Sequence, residues 1–175
     1  ALAFGVLFAL SFMQENMGNF TINLNRLELF RRGVAIADNG DFKNATARLA
    51  ADALDNGTNI AAEDLPDNLD DIDGSHNGKN YVAYTFYIRN AGKTDLGYSA
   101  KLKVVSASKG VEKAARVRVY RNGEPTTYAA AAADGNPEPN TEPFASKDVV
   151  TTISHKNFRV GDVDKYTVVI WLDGD

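Results

Sequence analysis

The chain has 175 residues, a formal net charge of −4 and no cysteine. That length suits one domain able to bury a substantial core without cross-links. The composition excludes a disulfide framework, a thiol nucleophile and a thiolate metal site within this chain. A mildly acidic chain without a basic run is also a poor nucleic-acid binder, so no nucleic-acid partner is expected.

Ala1 to Met13 reads ALAFGVLFALSFM, uncharged and almost wholly apolar. It is shorter than the roughly 20 residues that span a bilayer as a helix. Residues 1–17 are therefore read as an N-terminal hydrophobic helix, part of a signal peptide or a membrane anchor. A buried core helix is the other reading. The first residue is Ala, and neither a basic leader nor an Ala-x-Ala cleavage site flanks the run, so a longer protein is expected. Export follows from either membrane reading, and contact with a membrane is expected through this segment alone. Residues 18–175 are then a single β-sandwich domain facing the outside.

Gly18 to Asn25 alternates, with Phe20, Ile22 and Leu24 against Asn19, Thr21, Asn23 and Asn25. This is strand periodicity with a polar outer face. Arg26 to Ala37 is mixed, a short helix or a second strand. Asp38 to Asp41 is a turn. Phe42 to Leu54 is Ala-rich and fits either helix or strand, and Asp55-Asn56-Gly57 turns the chain. Asn59 to Asn80 is an acidic, irregular loop with room for one helical turn. Asn80 to Asn90, NYVAYTFYIRN, is the central strand. Val82, Tyr84, Phe86 and Ile88 fall on one face, and large residues fall on the other, as in the middle of a sheet. Asn90 to Thr94 is read as a hairpin loop. The return strand runs from Asp95 to about Val105, with Leu96, Tyr98, Ala100, Leu102 and Val104 inward and a bulge at Gly97.

Lys109-Gly110 turns the chain again, and Ala114 to Tyr120 is a strand. Arg121-Asn122-Gly123-Glu124 is a tight hairpin turn, returned by Thr126 to Ala130. Ala131 to Pro143 is a Pro-rich solvated loop. Lys147 to Ser154 is a strand, Phe158 to Asp162 a turn, and Lys165 to Leu172, KYTVVIWL, the last strand. Short strands at near-regular spacing with turn chemistry between them predict an all-β fold, an antiparallel β-sandwich that is jelly-roll-like. The chain stops just after that hydrophobic strand, so an unpaired edge and a truncated C-terminus are expected.

Candidate chemistry is sparse. His76 and His155 are the two histidines, and no His-Glu-x-x-His motif, Gly-x-Ser-x-Gly elbow or phosphate-binding glycine loop is present. No catalytic residue is expected. Asp71-Ile72-Asp73-Gly74-Ser75-His76-Asn77-Gly78 places oxygen ligands at alternate positions, which suits calcium. Counted from Asp73, position twelve is Tyr84 where an EF-hand needs Glu, and a strand follows. Asp71, Asp73 and Asn77 thus form a weak calcium candidate, beside the reading of a solvated loop whose polar side chains cap turns. Asn19, Asn44 and Asn56 each open an Asn-x-Thr triplet, a pattern common by chance.

Taken together, several stretches resemble the camelysin/TasA-like family of exported Firmicutes proteins. They are the hydrophobic segment followed by Gly18-Asn19-Phe20-Thr21, the Asp-Gly-Ser-His-Asn-Gly loop, YTFYIRNAG, and Gly161-Asp162 ahead of YTVVIWLDGD. The resemblance implies jelly-roll domains, some of which build biofilm-matrix fibres by lending an N-terminal strand to the next subunit. It also implies a surface metallopeptidase activity described for camelysin, for which this sequence has no zinc-protease signature.

The leading expectation is a non-enzymatic structural protein of the cell surface or matrix, associating with itself or with other surface proteins. Its assembly strand would present Phe20, Ile22 and Leu24. The alternatives are a surface metallopeptidase using His76, His155 and nearby Asp, and a carbohydrate- or ligand-binding module using Tyr81, Tyr84, Tyr87 and Tyr98.

Overall fold

The computed structural model describes residues 3–13, 19–25, 33–43, 48–52, 54, 57–107 and 111–174. The first strands are β1 (Ala3–Met13), β2 (Asn19–Asn25), β3 (Val34–Ala37) and β4 (Arg48–Ala50). Two 3₁₀ turns, Ala62–Asp64 and Leu69–Asp71, precede β5 (Gly74–Ser75), β6 (Tyr81–Asn90) and β7 (Leu96–Ala107). A single helical turn, α1 (Val111–Ala114), leads into β8 (Ala115–Arg121) and β9 (Glu124–Ala129). The last strands are β10 (Glu142–Pro143), β11 (Val149–Phe158) and β12 (Val163–Leu172).

The strands form two sheets. One is five-stranded in the order β11-β7-β1-β2-β4, and the other runs β10-β9-β8-β12-β6-β3, with β5 also on β6. Pairing is antiparallel except at β1–β7 and β9–β10. The all-β expectation holds, with a small parallel component.

One core lies between the sheets. Leu96, Tyr98, Ala100 and Leu102 from β7 meet Val82, Tyr84, Phe86 and Ile88 from β6 and Tyr166, Val168 and Ile170 from β12, all nearly inaccessible. The inward faces of β6 and β7 are thus the ones their period-two patterns predict. The larger sheet is also covered on its outer side. Leu65 and Leu69, from the segment of 3₁₀ turns, pack on Ala83, Val169 and Trp171. Thr85 and Thr167, paired across β6 and β12, share a buried hydroxyl hydrogen bond of 2.7 Å.

Several sequence expectations change. Residues 3–13 are a strand, not the N-terminal helix. A short apolar run has no periodicity that separates a helix from an interior strand, and β1 lies between β2 and β7. Asn90 to Thr94 is not a hairpin, because β6 and β7 belong to different sheets; it is a crossover. The buried Asn90 side chain holds this crossover, donating to the Thr94 and Phe158 carbonyls at 3.0 Å and accepting from the Gly92 amide at 3.1 Å. Gly92 passes so close to Gly33 that a Cβ on Gly33 would lie 2.6 Å from the Gly92 Cα.

The bulge expected at Gly97 sits on the partner strand. The β11–β7 register shifts between His155 and Phe158. A Cβ at Gly97 would meet the Lys156 carbonyl at 2.9 Å. The final strand is not an edge, because β12 is flanked by β6 and β8. Of the ambiguous stretches, Val34–Ala37 and Arg48–Ala50 are strands. Residues 26–32 and 44–47 lie outside the described residues.

Phe86 carries much of this core. It is 1 % exposed, stacks on Tyr166 at 5.6 Å between ring centroids, and sits beside Tyr84. Phe86→Ala is expected to cost about 3–5 kcal/mol in urea unfolding, the range for truncating a buried phenylalanine. A loss below about 1 kcal/mol would mean that the face is wrongly assigned.

Candidate functional site

The most elaborate polar arrangement lies at one end of the core, around Asp164. In β12 the inward positions read Asp164, Tyr166, Val168, Ile170 and Leu172, so strand alternation drives a carboxylate inside. Asp164 is 2 % exposed. A buried charge is tolerated only when it is fully hydrogen-bonded, and three segments supply the donors. The Tyr98 hydroxyl of β7 donates to Asp164 Oδ2 in a short hydrogen bond. His155 Nδ1, from β11, lies 2.6 Å from the same oxygen. Asn122 Nδ2 donates to Oδ1 at 3.0 Å. The Tyr166 hydroxyl joins at 2.6 Å from that of Tyr98.

Turn chemistry positions Asn122. It sits in the β8–β9 hairpin at φ 51°, a left-handed conformation that asparagine accepts better than most residues. Its backbone amide donates to the Lys165 carbonyl, and its side-chain oxygen accepts from the Lys165 amide, both at 2.8 Å. It therefore grips β12 beside the buried carboxylate.

Burial works against ionisation of Asp164, but the hydrogen bonds from Tyr98, Asn122 and His155 outweigh it and hold the carboxyl below its ordinary range. Burial, with Tyr166 and Asp164 nearby, pushes the Tyr98 hydroxyl strongly up. Burial likewise raises Tyr166 to about 12. The phenols therefore stay neutral donors.

The Asp164–His155 pair has the form of a carboxylate orienting an imidazole. His155 Nε2 has no hydrogen-bond partner among the described residues. The phenols beside it are held protonated. The arrangement can pin β7, β11 and β12 together, and it can present one oriented imidazole at the end of β11.

The predicted calcium loop folds onto its own neighbours. Asp73 accepts from the Tyr87 hydroxyl at 2.5 Å and from the Gly40 amide at 3.3 Å. Burial and this hydrogen bond raise Tyr87 to about 12. Asn77 donates to the Asp52 carbonyl at 2.8 Å and accepts from the Ala83 amide at 3.1 Å. Asp71 is exposed. Asp73 and Asn77 thus serve separate contacts, and Asp71 joins neither. Among the described residues no group of three or more His, Asp or Glu side chains is arranged to hold a metal.

His76 Nδ1 and Nε2 lie 2.8 and 2.7 Å from the Gly74 and Leu69 carbonyls, so both ring nitrogens are engaged by backbone. The structure does not gather the four tyrosines into one face. Tyr84 and Tyr98 are core residues, and Tyr81 and Tyr87 are half-buried. The proposed assembly strand is β2, where Phe20, Ile22 and Leu24 stand in register with Phe12, Leu10 and Phe8 of β1.

Sequence reasoning missed Asp164 and Asn122. The available signal was an aspartate at an inward register in a strand otherwise apolar on that face.

Asp164→Ala would leave Tyr98, His155 and Asn122 without their shared acceptor, at an expected cost of about 3–5 kcal/mol. The folded carboxyl titrates below its unfolded counterpart. Its stabilisation is therefore whole above the unfolded value near 4 and is lost as the pH falls through the folded one. Urea melts at pH 7 and pH 3 check both points: the wild type should lose stability on acidification, and Asp164→Ala should lose less.

No protein-family model, no curated protein and no solved structure matches this chain.

Proposed function

We propose that this chain is an exported, non-enzymatic structural protein of the bacterial cell surface or extracellular matrix, with a jelly-roll-like body that associates by strand donation. The observation that carries the reading is the seating of the N-terminal strands. β1 lies inside the five-stranded sheet, parallel to β7 from Ala3↔Gly97 to Phe12↔Ala107 and antiparallel to β2. Without β1, that sheet would divide into β11-β7 and β2-β4, each with an open edge. An open edge is satisfied by a strand from any chain of suitable pattern, including a second copy. β2 is bound less on its other side, pairing with β4 only through Asn23–Asn25.

Phe20, Ile22 and Leu24 are the apolar positions such a donated strand would bring. No helix among the described residues is long and apolar enough to cross a membrane. In this proposal, contact with the membrane or the export machinery runs through the first residues of the chain. The resemblance to camelysin/TasA-like proteins supports the same reading.

Freeing the chain from about residue 14 onward should yield oligomers by size-exclusion chromatography and fibres by electron microscopy. Deleting Gly18–Asn25 should abolish them while far-UV circular dichroism still reports a β-rich fold. A strictly monomeric processed form, or a deletion that assembles equally well, would overturn the proposal. So would peptidase activity removed by a chelator.

Calcium is kept as a proposed ligand of Asp71, Asp73 and Asn77. Binding would have calcium share the Asp73 oxygens with the Tyr87 hydroxyl and the Gly40 amide. A rise in Tm with calcium that disappears in Asp71→Ala/Asp73→Ala is the expected sign; an unchanged Tm removes calcium from the account.

A further inference from the structure

A separate feature lies on the outer face of the larger sheet. The segment of 3₁₀ turns covers β6 and β12 through Leu65 and Leu69. The loop before β10 rises on the far side. Between them is a cleft of about 490 Å³ with Trp171, Arg118 and Thr127 among its lining residues. That volume falls in the range of small-molecule sites.

The walls are built and braced. Arg116 is 8 % exposed and pairs with Asp173 at 2.9 Å, so its charge is spent. The Asp173 amide donates to the Ala114 carbonyl at 2.8 Å, and the Ile60 amide donates to the Leu172 carbonyl at 3.0 Å. The opposite wall is a tight turn, in which Thr141 donates twice to the Glu138 carbonyl and Asn140 takes φ 59°.

Arg118 differs from Arg116. Its Nε donates to Thr127 Oγ1 at 2.9 Å, and its guanidinium lies 5.2 Å from the centre of the Trp171 ring. These contacts fix the plane of the group. Its two terminal nitrogens have no hydrogen-bond partner among the described residues, and no carboxylate pairs with it. A fixed guanidinium with an open edge is the geometry that takes a carboxylate by two parallel hydrogen bonds. Trp171 gives a second, independent sign. It is 1 % exposed, lines the cleft, and its Nε1–H is a buried donor without an acceptor. Native structures rarely leave such a donor unpaired.

Together with Lys113 and three small apolar residues, the rest of the lining includes hydroxyl, amide and carboxylate groups, on Thr127, Thr141, Asn140, Glu63 and Glu138. These groups exchange hydrogen bonds with sugar hydroxyls. We propose that the cleft between β8, β9 and the loop before β10 binds a short acidic saccharide, a uronic-acid oligomer, with its carboxylate on Arg118. This site is independent of the β1–β2 strands.

Trp171 is the only tryptophan, so its fluorescence reports on this one position in the cleft wall. Trigalacturonic acid titrated into the full chain should change Trp171 emission saturably, with heat of binding measured in parallel by calorimetry. The methyl-esterified trisaccharide, which keeps the rings and loses the charge, should bind at least about tenfold more weakly, as should Arg118→Gln. Glutarate, which has carboxylates and no ring hydroxyls, should bind more weakly than the trisaccharide.

If Arg118→Gln does not fold by circular dichroism, Asn140→Asp takes its place. Asn140 is exposed on the rim, and a carboxylate there should weaken the acid by repulsion and leave the ester unaffected. No saturable binding of trigalacturonic acid at millimolar concentration would overturn the proposal. Equal binding of the ester or of glutarate, or undiminished affinity in the folded variant, would also overturn it.

Discussion

β12 is buried on both faces and hydrogen-bonded along both edges, and most other features of the molecule follow from its placement. Its register with β6 runs unbroken from Val163↔Arg89 to Trp171↔Tyr81, and with β8 from Tyr166↔Arg121 to Leu172↔Ala115. The inward set carries Asp164, Tyr166, Val168 and Ile170 into the main core, and the outward set carries Val169 and Trp171 beneath the segment of 3₁₀ turns. A slip of one residue would exchange the two sets. It would carry Asp164 away from Tyr98, His155 and Asn122 and put Trp171 in the main core. Two faces with different demands fix this register more firmly than one.

The polar groups around β12 divide the labour of specifying the fold. Apolar packing between the sheets is non-directional and tolerates small shifts. The Asp164 cluster is directional, because each donor must arrive from its own strand or turn at hydrogen-bond distance. Asn90 does the same for the crossover between β6 and β7, and His76 for the acidic loop, through the Gly74 and Leu69 carbonyls. Buried or half-buried polar side chains thus mark the places where the path of the chain departs from simple hairpins.

Much of this was legible locally. The faces of Asn80–Asn90 and KYTVVIWL follow from period-two patterning, and the Asn122-Gly123 hairpin follows from turn chemistry. What a strand's own residues do not encode is which sheet it joins. Asn90–Thr94 has the composition of a hairpin loop, yet it crosses the core, and only the tertiary partners of Asn90 reveal this. The run Ala3–Met13 was ambiguous for a related reason, since an interior strand and a short apolar helix are alike without periodicity. The oxygen spacing of Asp71, Asp73 and Asn77 was visible too. Their use is set by neighbours distant in sequence, Tyr87, Gly40 and Asp52, that no local pattern announces. The Asp164 cluster joins residues from β7, the β8–β9 turn, β11 and β12, so its members could be suspected singly but not assembled.

The direction of β1 has a mechanical consequence. β1 and β7 run parallel over almost the whole length of β1, so tension along β1 is borne by many hydrogen bonds side by side. Strands pulled in this shearing sense give way together, whereas strands peeled from one end yield one bond at a time. Resistance to force is governed by the rate of unfolding and not by equilibrium stability. A sheet closed by such a strand can therefore hold under load even where the free energy of seating the strand is modest.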